Sequence, residues 1–289
     1  MNTIFGVASM LIQILKMEKP DALLFCFDEG SDTFRHKEYE AYKEGRAETP
    51  QDFYDQIPQV FALIDAFGFP RVSDPGYEAD DLLCTYAKQA EKAGDRVTVV
   101  TGDRDALQLA SQKIRIAIPA KGYQLPEYLD PAAIEAKYGV RPDQIPFYKG
   151  LTGDASDNLK GVTGIGPKSA AELIKKYGTM DELYAHLGDI KASWREKLEK
   201  DRESAFFCQR MAELTCNAPL HCSEEELKIT NHDLTKAFAF FVQKEFSLLT
   251  KRLQQFVAGE YGSAHFKAEF TALPSKKETK EETSQLSLL

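Results

Sequence analysis

Apolar residues along the chain switch between two periods. Ile4, Phe5, Ala8, Leu11, Ile12 and Leu15 recur at helical spacing and predict an amphipathic helix over 3–17. A near-continuous apolar run at 22–27, too short for a typical helix, predicts a central strand that ends on Asp28. A second buried parallel strand is predicted over 97–101, and a third strand over 114–118. Between them Leu82, Leu83, Tyr86 and Ala87 line one face of a helix that Gly94 stops. Thr49, Pro50 and Asp52 form a capped start for a helix whose stripe is Phe53, Ile57, Val60, Phe61, Ile64 and Phe67, closed by Gly68. A short helix is expected at 106–110, another from Pro131 to a stop at Gly139, and a third over 169–177. From 180 to about 256 the pattern is helical, with an aromatic core at Phe238, Phe240, Phe241 and Phe246. The charged, aromatic-poor stretch 274–289 predicts a disordered end.

Helices alternating with parallel strands point to an α/β fold. The 289 residues, 43% of them hydrophobic, suffice for one large domain or two small ones. No apolar run reaches the ~18 residues of a membrane span, and no signal-like segment follows Met1, so a cytoplasmic protein without a membrane partner is expected. Cys26, Cys84, Cys208, Cys216 and Cys222 are odd in number and lack Cys-x-x-Cys spacing; they read as buried thiols, not disulfides or zinc ligands. A net charge of −9 argues against indiscriminate coating of nucleic acid.

Where the acids fall changes the picture. Glu78, Asp80 and Asp81 precede one predicted helix, and Asp103 and Asp105 follow the strand after it. Ligands of open α/β sheets collect beyond the carboxyl ends of strands, where Asp28, Asp103 and Asp105 would lie. Acids crowded together repel and raise one another's pKa unless a cation holds them ionised, so the pattern reads as a divalent-metal site. The bland alternative for 78–81 is a solvated helix N-terminus. Asp154 and Asp157, three apart beside Gly153, add a third pair. A glycine-rich hairpin follows at once, Gly161-Val162-Thr163-Gly164-Ile165-Gly166, and leads into a helix past Lys168. Such a turn offers backbone amides to a phosphate without reading bases. Over 31–46 Phe34, Arg35, Lys37, Tyr39, Tyr42, Lys43 and Arg46 make a basic, aromatic excursion, either a solvated helical segment or a surface for nucleic acid.

Together these motifs resemble the 5′-3′ exonuclease and flap endonuclease family over about 3–256. The resemblance rests on Gly76-Tyr77-Glu78-Ala79-Asp80-Asp81, Thr101-Gly102-Asp103-Arg104-Asp105, and Gly153-Asp154-Ala155-Ser156-Asp157-Asn158 running into the hairpin. It implies a PIN-like, mostly parallel sheet flanked by helices, with a helical arch at about 31–50. The domains would be a catalytic part over 1–150, a helix-hairpin-helix part over 151–260 and a flexible tail over 261–289. It implies two Mg²⁺ ions, replaceable by Mn²⁺: Asp28, Glu78, Asp80 and Asp81 would hold one, and Asp103, Asp105, Asp154 and Asp157 the other. Lys43 and Arg46 would reach the scissile phosphate, with Arg35 nearby. A potassium ion would sit on hairpin carbonyls around Val162 and Ile165. The implied activity is metal-dependent hydrolysis of DNA phosphodiesters at 5′ ends, flaps or nicks, in replication and repair, by a monomer.

Family members open on a strand ending in an Asp-Gly turn, which nothing before Ile4 supplies. The natural chain is therefore expected to extend upstream of Met1, and a DNA-binding scaffold without catalysis is the alternative reading. A haloacid-type phosphatase would need an aspartate where Gly30 stands. The final residues, Gln285, Leu286, Ser287, Leu288 and Leu289, resemble the peptide by which bacterial replication and repair enzymes dock on the sliding clamp, which implies a stand-alone nuclease.

Overall fold

The computed structural model describes residues 2–30, 33–46 and 49–270. The predicted clamp peptide at 285–289 lies outside them. The chain divides into two compact units, one built from Leu24–Gln51 and Pro70–Leu227, the other from Met1–Leu23, Asp52–Phe69 and Lys228–Leu289. No helix among the described residues is long and apolar enough to cross a membrane.

Among the described residues the larger unit carries five strands. β1 (Phe25–Cys26) pairs in parallel with β2 (Arg71–Val72), which periodicity missed because two residues establish no period. The predicted run 22–27 is thus strand only where β2 faces it, with Phe25 N–H donating to Pro70 and Phe27 N–H to Val72 at the two ends. β3 (Val97–Val100) pairs in parallel with β4 (Ile114–Ile118), and β5 (Glu127–Leu129) adds an antiparallel edge. Among the described residues no ladder joins these two sheets. The mixed α/β class holds, with small sheets and abundant helix.

Helix Ala79–Ala93 runs from the β2 side to β3, buries Leu82, Cys84 and Ala87, and ends at Gly94 in the left-handed region, φ 110°. Residues 106–110, expected as a helix, form the 3₁₀ turn Asp105–Leu109, which buries Ala106, Leu107 and Leu109. The basic excursion is helical only over Phe34–Glu38 and then becomes a turn through residue 45. One core runs from Val99, Ile114 and Ile116 through Ile134, Phe147 and Leu151 to Val162, Leu173 and Leu183. Burial of this apolar area is its main stabilising term.

The cysteine expectation is corrected here. Cys84 and Cys216 are disulfide-bonded, with Cα atoms 4.8 Å apart, while Cys26, Cys208 and Cys222 remain free. Sequence spacing failed because the partners are 132 positions apart and only folding brings them together.

The smaller unit is largely helical. Helix Asn2–Glu18 packs against Ile57–Phe67 and Ser247–Val257, and Thr235–Gln243 closes the bundle. The stripe expected from Phe53 to Phe67 is broken: Gln51–Tyr54 and Ile57–Phe67 are separate helices. Pro58 has no N–H to give the carbonyl one turn back, so the helix restarts there, and Phe53 lies 43% exposed instead of in the core. Helix Glu260–His265 and β7 (Phe266–Lys267), paired in parallel with β6 (His232–Asp233), carry folded structure into the stretch expected as tail.

Candidate metal centre

All the acids singled out above lie in the larger unit. Asp28 follows β1 and accepts from Ala79 N–H at 2.8 Å, which ties the end of that strand to the start of helix Ala79–Ala93. Beyond β3, Asp103 N–H donates to Thr101 Oγ1, and Asp103 Oδ1 accepts from Asp105 N–H at 2.8 Å, a tight turn that aims both side chains off the strand end.

The third pair is fixed by backbone packing. Leu159 and Asp154 exchange N–H···O bonds of 2.8 Å in both directions, folding 154–159 into a narrow loop. Gly153, φ 73°, and Gly161, φ 63°, close its neck so tightly that a Cβ on Gly161 would lie 2.2 Å from Gly153 N. No other residue fits there.

These turns bring Asp105, Asp154 and Asp157 together, each with one ligand oxygen within 4.8 Å of the others. Asp105 and Asp157 are buried. Burial pushes the Asp80 carboxyl up to about 7, with Asp103, Asp105, Asp28 and Glu78 adding repulsion, so the acids around 78–81 feel those after both strands. Burial also lifts Asp105 to about 7, against the pull of Lys149. An all-carboxylate donor set whose charges raise one another's pKa fits a hard divalent cation, not a soft metal.

Cations of the chain already lie among these acids. Lys149, from helix Ile145–Thr152, contacts Asp105 and sits 2.6 Å from Asp154 Oδ2. Burial opposes ionised Asp154, yet Lys149 and the Ser156 donors hold it down near 2. Sequence reasoning missed Lys149; its signal was a lysine five residues before Asp154 on a helix that delivers the loop. Lys43 Nζ donates to Glu78 Oε1 at 2.7 Å, and Arg46 pairs with Asp157 and donates to Ser156 O at 2.8 Å. Asn158 Nδ2 donates to Ala41 O at 2.9 Å and Lys43 N–H to Asp157 O at 3.2 Å, so the turn at 40–45 is fastened to the third acid loop.

Arg35 and Asp81 stand differently. Arg35, 1% exposed, donates to both Asp81 oxygens at 2.7 and 2.9 Å, to Glu78 Oε2 at 3.2 Å, and to the carbonyls of Met211 and Glu213. Asp81 also accepts from Thr215 N–H at 2.8 Å. Arg35, Asp81 and Glu78 are all buried: the guanidinium expected near a phosphate sits inside the protein, bracing Asp81.

In the hairpin, Ile165 N–H donates to Val162 O at 3.0 Å, Thr163 N–H to Asp201 at 2.8 Å, and Lys197 Nζ to Gly164 O at 3.0 Å. Val162 and Ile165 bury their side chains, while Gly164, Gly166 and Lys168 face solvent at the start of helix Pro167–Tyr177.

A mixed α/β fold that brings Asp105, Asp154 and Asp157 together defines a candidate divalent-metal site. Residues 1–139 match the 5′-3′ exonuclease N-terminal resolvase-like domain and 140–235 the 5′-3′ exonuclease C-terminal SAM fold, so the chain belongs to the 5′-3′ exonuclease family. DNA polymerase I of Caldicellulosiruptor bescii is 37% identical over 254 residues, 87% of this chain and 30% of that protein. The thermostable DNA polymerase I of Thermus thermophilus is 40% identical over 237 residues, 82% of this chain and 28% of its own. The chain thus spans less than a third of the length of these relatives. In fold it is similar to the bacteriophage T5 flap endonuclease in a pseudo-enzyme-product complex with DNA and metal ions, with a TM-score of 0.64, 19% identity, and coverage of 87% of this chain and 90% of that one. The T5 5′-exonuclease with bound zinc gives a TM-score of 0.61 at 20% identity, covering 88% and 90%. The catalytic core of Rad2 in complex with a DNA substrate gives 0.55 at 17%, covering 88% and 84%.

Proposed function

We propose that this chain is a divalent-metal-dependent nuclease that hydrolyses DNA phosphodiesters at 5′ ends, flaps or nicks. The observation that carries the reading is the meeting of Asp105, Asp154 and Asp157, from two separate loops, with ligand oxygens within 4.8 Å of one another. With Asp103 they would hold one ion; Asp80, with Asp28 and Glu78, would hold a second, and Asp81 would act through Arg35 as the brace of that group. Bound Mg²⁺ or Mn²⁺ would supply an activated water and stabilise the departing 3′-oxygen. Lys43 and Arg46, exchanging carboxylate for phosphate, would neutralise charge at the scissile position. The hairpin amides and Lys168 would hold the duplex backbone, and a potassium ion on the carbonyls of Val162 and Ile165 fits the same role. A sliding clamp bound through 285–289 would keep the enzyme on DNA, which clamp binding by full-length chain and a form ending at 284 would test.

The experiment is cleavage of a nicked or flapped duplex labelled at its 5′ end, with Mg²⁺ and with EDTA. The expected result is Mg²⁺-dependent release of 5′-phosphorylated products, lost in Asp154→Ala while duplex binding persists. Binding without cleavage in the wild type would leave only a DNA-binding scaffold.

A further inference from the structure

Beside the acids a cavity of about 450 Å³ opens between the end of β3 and the helices Pro131–Tyr138 and Ile145–Thr152. Its lining mixes two chemistries: Asp103, Asp154 and Lys149 are charged, while Leu107, Tyr138 and Tyr148 give an apolar and aromatic wall. The two tyrosine rings meet edge to face with centroids 6.3 Å apart. Arg104 also lines the cavity; it is exposed, close enough to Tyr148 to bias its ionisation, and makes no ion pair among the described residues.

A lipid or other wholly apolar ligand would leave Arg104 unused and lie against carboxylates. Inorganic phosphate would leave the tyrosine wall bare. A nucleoside monophosphate has an aromatic plane for the tyrosines and an anion for Arg104, and its phosphate would lie beside acids suited to a divalent cation. We propose that this cavity takes one nucleoside 5′-phosphate unit, its base against Tyr148 and its phosphate towards Arg104. This rests on the nuclease reading above and extends it: the unit is the terminal nucleotide of the strand being shortened, gripped one residue at a time.

The test is saturable binding of deoxyadenosine 5′-monophosphate, measured by calorimetry in magnesium buffer, with inorganic phosphate and deoxyadenosine as separate probes. Tyr148→Leu stays apolar but removes the π-face and should weaken the nucleotide by about tenfold, whereas Tyr148→Phe should bind nearly as wild type. Arg104→Gln, at an exposed position that the fold does not need, should weaken the nucleotide but not deoxyadenosine. Equal nucleotide affinity in wild type, Tyr148→Leu and Arg104→Gln, or no saturable binding by the wild type, would overturn the proposal. Cleavage of nicked duplex by the same wild-type sample separates the two ideas. Cleavage without nucleotide binding removes the cavity and keeps the nuclease; nucleotide binding without cleavage does the reverse.

Discussion

The Arg35 guanidinium grips both carboxylate oxygens of Asp81, at 2.7 and 2.9 Å, with neither side chain open to solvent. Removing one partner of such a pair strands the other charge, at about 3–5 kcal/mol. Arg35→Ala and Asp81→Ala should each lose stability of that order in urea unfolding. Arg35→Lys should not recover it, since an ammonium cannot reproduce the two-pronged contact. A loss under about 1 kcal/mol in both alanine variants would show that the pair braces nothing.

Acidity should couple to metal. Asp80 and Asp105 are pushed from an ordinary 3.8 to about 7, so the folded chain binds more protons than the unfolded one between those values. Their contribution to stability therefore falls as pH rises through that window. Asp154, held near 2, acts oppositely and contributes above the ordinary carboxylate range, losing its share as pH drops through about 4. In EDTA the melting temperature should decline from about pH 5 to 8, and the gain on adding Mg²⁺ should grow over that range. A Mg²⁺ gain independent of pH would contradict this.

Lys149 neutralises Asp105 and Asp154 from within. Lys149→Met should lower the melting temperature in EDTA and enlarge the rise produced by Mg²⁺, because two carboxylates would then depend on the added ion. Differential scanning fluorimetry across a Mg²⁺ series reads both effects, and an unchanged rise would separate Lys149 from the cluster.

Gly161→Ala places a methyl group against the backbone of Gly153 at a left-handed φ. The expected loss is about 1–3 kcal/mol from backbone strain, with more from the displaced loop. Duplex affinity should fall with it, since the same residue starts the hairpin. Gly166→Ala, with nothing within 4 Å of its Cβ, serves as the control for stability alone, since it belongs to the same hairpin.

Thiol titration of the denatured, unreduced protein should find three free cysteines, and five after reduction. By loop-closure entropy a link across 132 residues stabilises by about 4–5 kcal/mol, so reduction should lower the urea midpoint.

Much of this was legible in the sequence because acids at strand ends and glycines at turns are local signals. Asp103 and Asp105 after a β-branched run, the Gly94 stop and the Pro131 start are examples. What escaped was set by partners distant in sequence. Cys84 meets Cys216, Arg35 meets Asp81, and Lys149 meets Asp105 only when the chain has folded. Burial decided the rest: Arg35 read as a surface cation because its neighbours are basic and aromatic, yet it fills an interior slot between helix Ala79–Ala93 and the carbonyls of Met211 and Glu213.

Asp157 holds the 40–45 turn twice, through its carbonyl to Lys43 N–H and through its carboxylate to Arg46. The two attachments differ in kind. The carbonyl bond belongs to the path of the chain and stays whatever charges arrive. The carboxylate can exchange its partner without moving that path. A cation taking up Asp157 would therefore release the guanidinium of Arg46 in place, still poised over the loop, so that filling the acid cluster and arming a phosphate-seeking side chain become a single event.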